Sequence, residues 1–238
     1  MLLSLGLRWF YWDLNPLMSR DAAMYCHIAV TWSRTGDFNI AFSEHIGNTA
    51  PFFIYLLKFG VDLGIPVIRW GHFLAFAFSG AFVFAFYLLG KELFDGRRDA
   101  GLICLLIAGT HPVIGRVSVD ILREGPFFMF AAFAMVYFVR AFKTRAPAPA
   151  CICGMLLGAA SMSRHEGLEL LFLAAVALLP WRLPREKRFS FRNWLPPSVM
   201  IAGALAAFLL LSALCGIPMK HMAGKYLSRL DKITIEHK

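Results

Sequence analysis

A chain of 238 residues with 58% apolar and 16% charged side chains and a mean hydropathy of +0.61 lies well outside the soluble range, where about a quarter of residues are charged. That composition excludes a soluble enzyme and assigns a polytopic membrane protein. The net charge of +9 does not point to nucleic acid, because the basic residues fall in short clusters between apolar runs and form no single stripe with interleaved aromatics.

In chain order, Met1 to Gly6 lacks the basic start of a secretory signal, and Leu2 to Leu14 is apolar but shorter than the roughly 20 residues that span a bilayer. The tripeptide Ser19-Arg20-Asp21 stands where this run leaves the membrane. Behind it Asp21, Met24, Tyr25, Ile28 and Trp32 recur at three- and four-residue steps, which predicts an amphipathic helix able to lie along the membrane surface. A second helix is expected over Phe52 to Leu63, with Pro51 suited to its first turn and Gly64-Ile65-Pro66 ending it.

Trp70 to Gly90 and Leu195 to Ile217 are long enough to span outright, and Gly125 to Phe142 is adequate. Ala100 to Pro112, Ala150 to Met162 and Leu168 to Trp181 are short, so they must tilt, borrow flanking residues or stop within the bilayer. Met219, Met222, Tyr226, Leu230 and Ile233 give the tail an interfacial pattern. The expected fold is all-α: a polytopic transmembrane bundle of about seven membrane helices forming one domain. Residues 1–14 form a truncated first helix, 15–66 an outer loop with interfacial helices, 67–217 the bundle and 218–238 an interfacial tail.

Charge sets the orientation. Lys91, Arg97, Arg98, Arg140, Lys143, Arg145, Arg182, Arg185, Lys187, Arg188 and Arg192 occupy one set of loops, against Arg116, Arg123 and Arg164 in the other. By the positive-inside rule the first set is cytoplasmic and Asp21 faces the periplasmic, extracellular or luminal side.

Three polar groups stand out on that outer side. Asp21 is read either as the N-cap of its helix or as a general base able to meet a lipid-borne substrate at the bilayer surface. Asp120 and Glu124, four apart, are expected on one face at the start of the Phe127 to Phe142 helix, either as dipole-favoured helix openers or as functional acids. Ser163-Arg164-His165-Glu166-Gly167 joins two short apolar runs, each about 20 Å long against a core of about 30 Å. The tip therefore reads as a polar cavity lining with Arg164 suited to phosphate, or else as a solvated turn in which Arg164 pairs with Glu166.

The five cysteines show neither a disulfide pattern nor zinc spacing, and His27, His45, His72, His111 and His165 form no ligand motif, so no metal or cofactor is expected. No G-x-x-x-x-G-K-[ST] or strand-borne G-x-G-x-x-G is present to bind a nucleotide. Trp9, Tyr11 and Trp12 read as interfacial anchors, and the Phe-rich stretch Phe73 to Phe86 as lipid-facing or packing surface.

The order of Arg20-Asp21-Ala22-Ala23-Met24-Tyr25, Asn48-Thr49-Ala50-Pro51-Phe52-Phe53, Arg123-Glu124-Gly125-Pro126-Phe127-Phe128 and Ser163-Arg164-His165-Glu166-Gly167-Leu168 resembles the GT-C class of polyprenyl-phosphate-dependent glycosyltransferases. Within that class it is similar to the protein O-mannosyltransferase and aminoarabinose-transferase-like group. The chain departs from the group in having Asp21-Ala22 where an acidic pair is usual and Ala50-Pro51 where two prolines are usual.

The resemblance implies a sugar carried on a polyprenyl phosphate as donor, an acceptor it does not specify, and inversion at the anomeric carbon. Asp21 would be the catalytic base, assisted by Glu124 in preference to Asp120, with Arg164, Arg20 and His165 as candidates for the donor phosphate. It implies a setting in a bacterial inner (plasma) membrane with membrane lipid around the site, and no nucleic acid partner. Because the group has more helices, the chain is expected to be the N-terminal module of a larger enzyme and inactive alone. The competing reading is non-catalytic: a transporter, a lipid-binding scaffold or an inactive transferase fragment.

Overall fold

A computed structural model describes residues 6, 18–43, 51–117, 119–180 and 191–217, and the regular structure among them is entirely helical. The expected short first helix, the Asn48-Thr49-Ala50 part of the second motif, and the interfacial tail lie outside the described residues.

Helices α1 (Arg20–Thr35), α2 (Phe38–Phe42) and α3 (Pro51–Asp62) precede a bundle of α4 (Val67–Leu93), α5 (Arg98–Thr110), α6 (Pro112–Val117), α7 (Glu124–Thr144), α8 (Pro147–Ser163), α9 (Glu166–Leu178) and α10 (Phe191–Leu214). Local sequence accounts for their ends. Gly36 closes α1 with φ 69°, a backbone that suits a residue without Cβ, and Pro147 opens α8 where its missing N–H has no cost. Among the described residues three helices, α4, α7 and α10, are long and apolar enough to cross a membrane. At 1.5 Å per residue the 17 residues of α8 reach about 26 Å, and the 13 each of α5 and α9 about 20 Å, short of a hydrocarbon core of about 30 Å.

Small residues bring α8 and α10 together over the most extensive helix–helix contact among the described residues. A Cβ on Gly154 would lie 1.9 Å from the carbonyl oxygen of Met200, and one on Gly158 would lie 2.4 Å from that of Ala204. Two glycines four apart thus present bare backbone to the facing helix, the usual way apolar helices gain dispersion contact when no water is there to be expelled.

The apolar face predicted for α1 exists, but protein covers it. Tyr25, Ile28 and Trp32 are buried together with Ala22, Cys26 and Ala29, which rotates the face so that Met24 is half-buried and Asp21 exposed at its edge. Trp32 packs edge-on against Phe38 and Phe42 at centroid distances of 5.3 and 5.7 Å, and α3 completes this cap over the bundle. Trp70 Nε1 donates to the carbonyl of Leu56 at 2.7 Å and ties α3 to the first turn of α4.

Basic residues gather at the opposite end. Arg140 pairs with Glu92 at 2.8 Å, Lys143 with Asp95 at 2.7 Å, and Arg145 donates to the carbonyl of Leu178 at 2.5 Å. The turns after α4, α7 and α9 are thereby linked away from the end that carries α1, the start of α7 and the α8–α9 turn.

Candidate active site

Three chain segments converge at the end covered by α1. The first is α1 itself. Ser19, not Asp21, is its N-cap: the Ser19 hydroxyl accepts from the backbone N–H of Ala22 at 3.2 Å. Asp21 sits in the first turn with its carboxylate exposed, and no hydrogen bond or ion pair reaches it among the described residues. The cap reading of Asp21 is therefore replaced by a Ser19 cap.

The second segment is the approach to α7. Asp120 and Glu124 were expected on one helical face, but α7 begins at Glu124 and Asp120 lies in a bend before it. The Asp120 carboxylate accepts from the backbone N–H of Ile121 at 2.8 Å, a local bond that competes with helix and keeps the bend open. Ile121 is fully buried against Gly71, and His72 Nδ1 meets the carbonyl of Val119 at 3.0 Å, so this bend is pinned to α4. Asp120 lines a small, mostly apolar cavity with Ser79, Phe82 and Gly125, on the side of α7 that faces α4. It does not join Glu124.

The third segment is the α8–α9 turn. Arg164 leaves the helix with an extended backbone, φ −150° and ψ 144°, and Gly167 re-enters α9 so close to Ser161 that a Cβ there would lie 2.4 Å from its backbone nitrogen. The turn holds the Arg164 guanidinium between two carboxylates. Its Nη1 donates to Glu124 Oε1 at 2.5 Å, while Nε and Nη2 form a fork on Glu166 at 3.1 and 2.5 Å. The guanidinium also lies 5.9 Å from the Phe127 ring centroid. Hydrogen bonding to Arg164 holds the Glu166 carboxyl down at about 2, and the Arg164 guanidinium is raised, first by that same bond. His165 Nδ1 approaches Glu166 at 3.4 Å, the geometry of an ion pair when the ring is protonated.

Tyr25 links the segments. Its ring packs edge-on against Phe53 at 6.0 Å, and burial pushes its hydroxyl up to about 12, with the charges of Arg123, Glu124, Asp21 and Arg164 all acting on it. Asp21, Glu124 and Arg164, spread over 143 positions of sequence, thus all bear electrostatically on one phenol. Sequence reasoning placed Tyr25 only on the apolar face; the signal available was a polar-tipped aromatic four residues after Asp21. Arg20 is exposed and makes no hydrogen bond or ion pair among the described residues. Glu124 Oε2 and Ser163 Oγ are buried without a hydrogen-bond partner there, a state that costs about 1–3 kcal/mol for each group.

Below this polar end α7, α8 and α9 enclose an apolar cavity of about 300 Å³, lined by Ala134, Phe138, Leu157 and Leu170 and edged by the exposed Met135 and Leu173. Leu170 lies four residues beyond Glu166, Leu157 seven before Arg164 and Phe138 fourteen beyond Glu124, so the cavity runs from about 6 to about 20 Å deeper in the bundle.

These features define an integral membrane helical protein with a charged site at one end of its bundle and an apolar cavity beneath it. Residues 48–215 match the dolichyl-phosphate-mannose-protein mannosyltransferase family, and the chain belongs to that family. It is a GT-C type membrane glycosyltransferase served by a polyprenyl-phosphate sugar donor. No curated protein and no solved structure matches the chain. The matched stretch contains Glu124 and Arg164, while Asp21 precedes it.

Proposed function

We propose that the chain carries the site of a membrane glycosyltransferase, whole or as its N-terminal part, that transfers a sugar from a polyprenyl phosphate to an acceptor hydroxyl or amine on the non-cytoplasmic side of the membrane, with inversion, and that Asp21 is the base. The observation that carries this reading is the division of labour in α1: Ser19 caps the helix, so the Asp21 carboxylate is left exposed one turn before Tyr25, a phenol on which Glu124 and Arg164 also act electrostatically. A cap would have its oxygens occupied by backbone N–H groups; among the described residues none reaches the Asp21 carboxylate, which suits it to take a proton.

In the reaction the acceptor proton passes to Asp21 while the acceptor atom bonds to the anomeric carbon. The bond from that carbon to the phosphate oxygen breaks, and polyprenyl monophosphate leaves. Arg164 offsets the charge gathering on the leaving phosphate, with His165 and Arg20 as further cations at the same end. Glu124 orients Arg164 and offers its buried second oxygen to a sugar hydroxyl, and Asp120 has a supporting role through the bend that sets the start of α7. The cavity under Arg164 suits the first isoprene units of the donor, since an apolar chain gains about 25 cal/mol per Å² on leaving water. The whole chain acts as one transmembrane unit.

The decisive experiment is Asp21→Asn, assayed with a polyprenyl-phosphate mannose and candidate acceptors in proteoliposomes. Asparagine keeps the size and polarity of the side chain but is no base, so transfer should fall at least a hundredfold. Retained transfer would remove Asp21 from the chemistry. Impermeant thiol labelling of single cysteines at Ser19 and Thr144 tests sidedness: Ser19 should label from outside and Thr144 should not.

A further inference from the structure

Arg164 is the candidate phosphate ligand, yet the face of its guanidinium that a phosphate would use is already occupied. The Nε and Nη2 hydrogens point side by side at the two oxygens of Glu166, at 3.1 and 2.5 Å, while Glu124 holds only Nη1. Two parallel N–H groups closing on two oxygens of one anion is also the geometry by which guanidinium binds phosphate. A carboxylate two residues away on the same turn therefore sits where two phosphate oxygens would sit.

The two carboxylates are not equivalent. Glu124 is the first residue of α7 and its second oxygen is buried, so it is fixed by a different helix. Glu166 opens α9 within the turn itself, with its side chain about a third exposed and one oxygen already 3.4 Å from His165 Nδ1, so it can leave the fork without moving a helix. Pairing with Arg164 and His165 offsets its charge within one short segment.

We propose that Glu166 is a resident counter-ion of the donor-phosphate site: it fills the Arg164 fork when no phosphate is bound, yields it to the phosphate group of the polyprenyl donor, and reclaims it to expel the monophosphate product. This rests on the reading of Arg164 as the phosphate ligand. The ligand class is a phosphate ester, and the competition is between one carboxylate and two phosphoryl oxygens for the same two N–H donors. Release gains most, because the product carries more negative charge than the diester donor and binds the freed fork more strongly. Glu166 is thus a specificity and turnover residue, and touches no reacting atom.

The experiment measures binding of farnesyl monophosphate, and of inorganic phosphate as the head group alone, to the full chain in detergent for the native protein, Glu166→Gln, Glu166→Asp and Arg164→Ala. Glutamine removes the competing charge, and aspartate keeps the charge but is one methylene too short for the fork. Both should bind farnesyl monophosphate at least tenfold more tightly, with a parallel gain for inorganic phosphate, and Arg164→Ala should bind weakly. In steady state Glu166→Gln should lower both kcat and the KM for the donor and make the product a stronger inhibitor. Unchanged or weaker binding in Glu166→Gln and Glu166→Asp, with Arg164→Ala still weak, overturns the counter-ion role and leaves the phosphate reading standing. Unchanged binding in Arg164→Ala overturns both. Should glutamine prevent folding, the aspartate variant, which retains the charge balance of the turn, decides between the same outcomes.

Discussion

Arg164 reaches Glu124 across forty positions of sequence, guanidinium Nη1 to carboxylate Oε1 at 2.5 Å, and this pair locks the start of α7 to the α8–α9 turn. Both side chains are about a quarter exposed, between the regime where an ion pair contributes almost nothing and the one where losing a partner is severe. Glu124→Ala should therefore destabilise the protein by about 1–2 kcal/mol, read as a lower apparent melting temperature in detergent, and should abolish transfer. Glu124→Gln retains an acceptor for Nη1 and should recover most of the stability but little of the activity.

Ser19 and Asp21 should separate stability from chemistry. Ser19→Ala removes the cap of α1 and should cost about 1 kcal/mol while leaving kcat within a few-fold of native. Asp21→Asn should leave the melting temperature unchanged and eliminate turnover. The reverse pattern in paired melting and transfer assays would return Asp21 to a structural role.

Gly154 tests the α8–α10 contact. Because a Cβ at position 154 would lie only 1.9 Å from the Met200 carbonyl oxygen, Gly154→Ala must push two backbones apart. Overpacking of this kind costs about 1–3 kcal/mol. The loss should appear as reduced yield of monodisperse protein, whereas Gly36→Asn, at a left-handed position with open space around it, should be tolerated.

Acid should expose the Glu166 pair. Its carboxyl is held at about 2 by Arg164, below the ordinary 4.5, so the folded state binds the proton less tightly than the unfolded one. The resulting stability is fully present above about pH 4.5 and is lost as pH falls toward 2. Native protein should lose melting temperature between about pH 4.5 and 2, and the slope should be shallower in Glu166→Gln. An identical slope in both would mean that other carboxylates carry the acid response.

Much of the fold was legible in the residue order because apolar run length and helical spacing are local properties. The spans at Trp70 to Gly90 and Gly125 to Phe142, the Pro51 helix start and the amphipathic α1 all appear within a few residues of their expected places. The motifs at Arg123-Glu124 and Ser163 to Gly167 were legible for a similar reason: charges between apolar runs are conspicuous. Tertiary structure decided what these pieces do to one another. Whether Asp21 or Ser19 capped α1 depended on which side chain could reach the N–H of Ala22, and composition allows both. That Asp120 turns to Ile121 and away from Glu124 depended on the burial of Ile121 against Gly71, a contact between positions fifty apart. That Arg164 is shared between Glu124 and Glu166 depended on α7 and α8 packing side by side, with Ala134 and Ala141 of α7 buried in one cluster with Ala150, Cys153 and Leu157 of α8. Sequence spacing fixes which residues share a helix face; the distances between faces come only from packing, and a polar site is made of those distances.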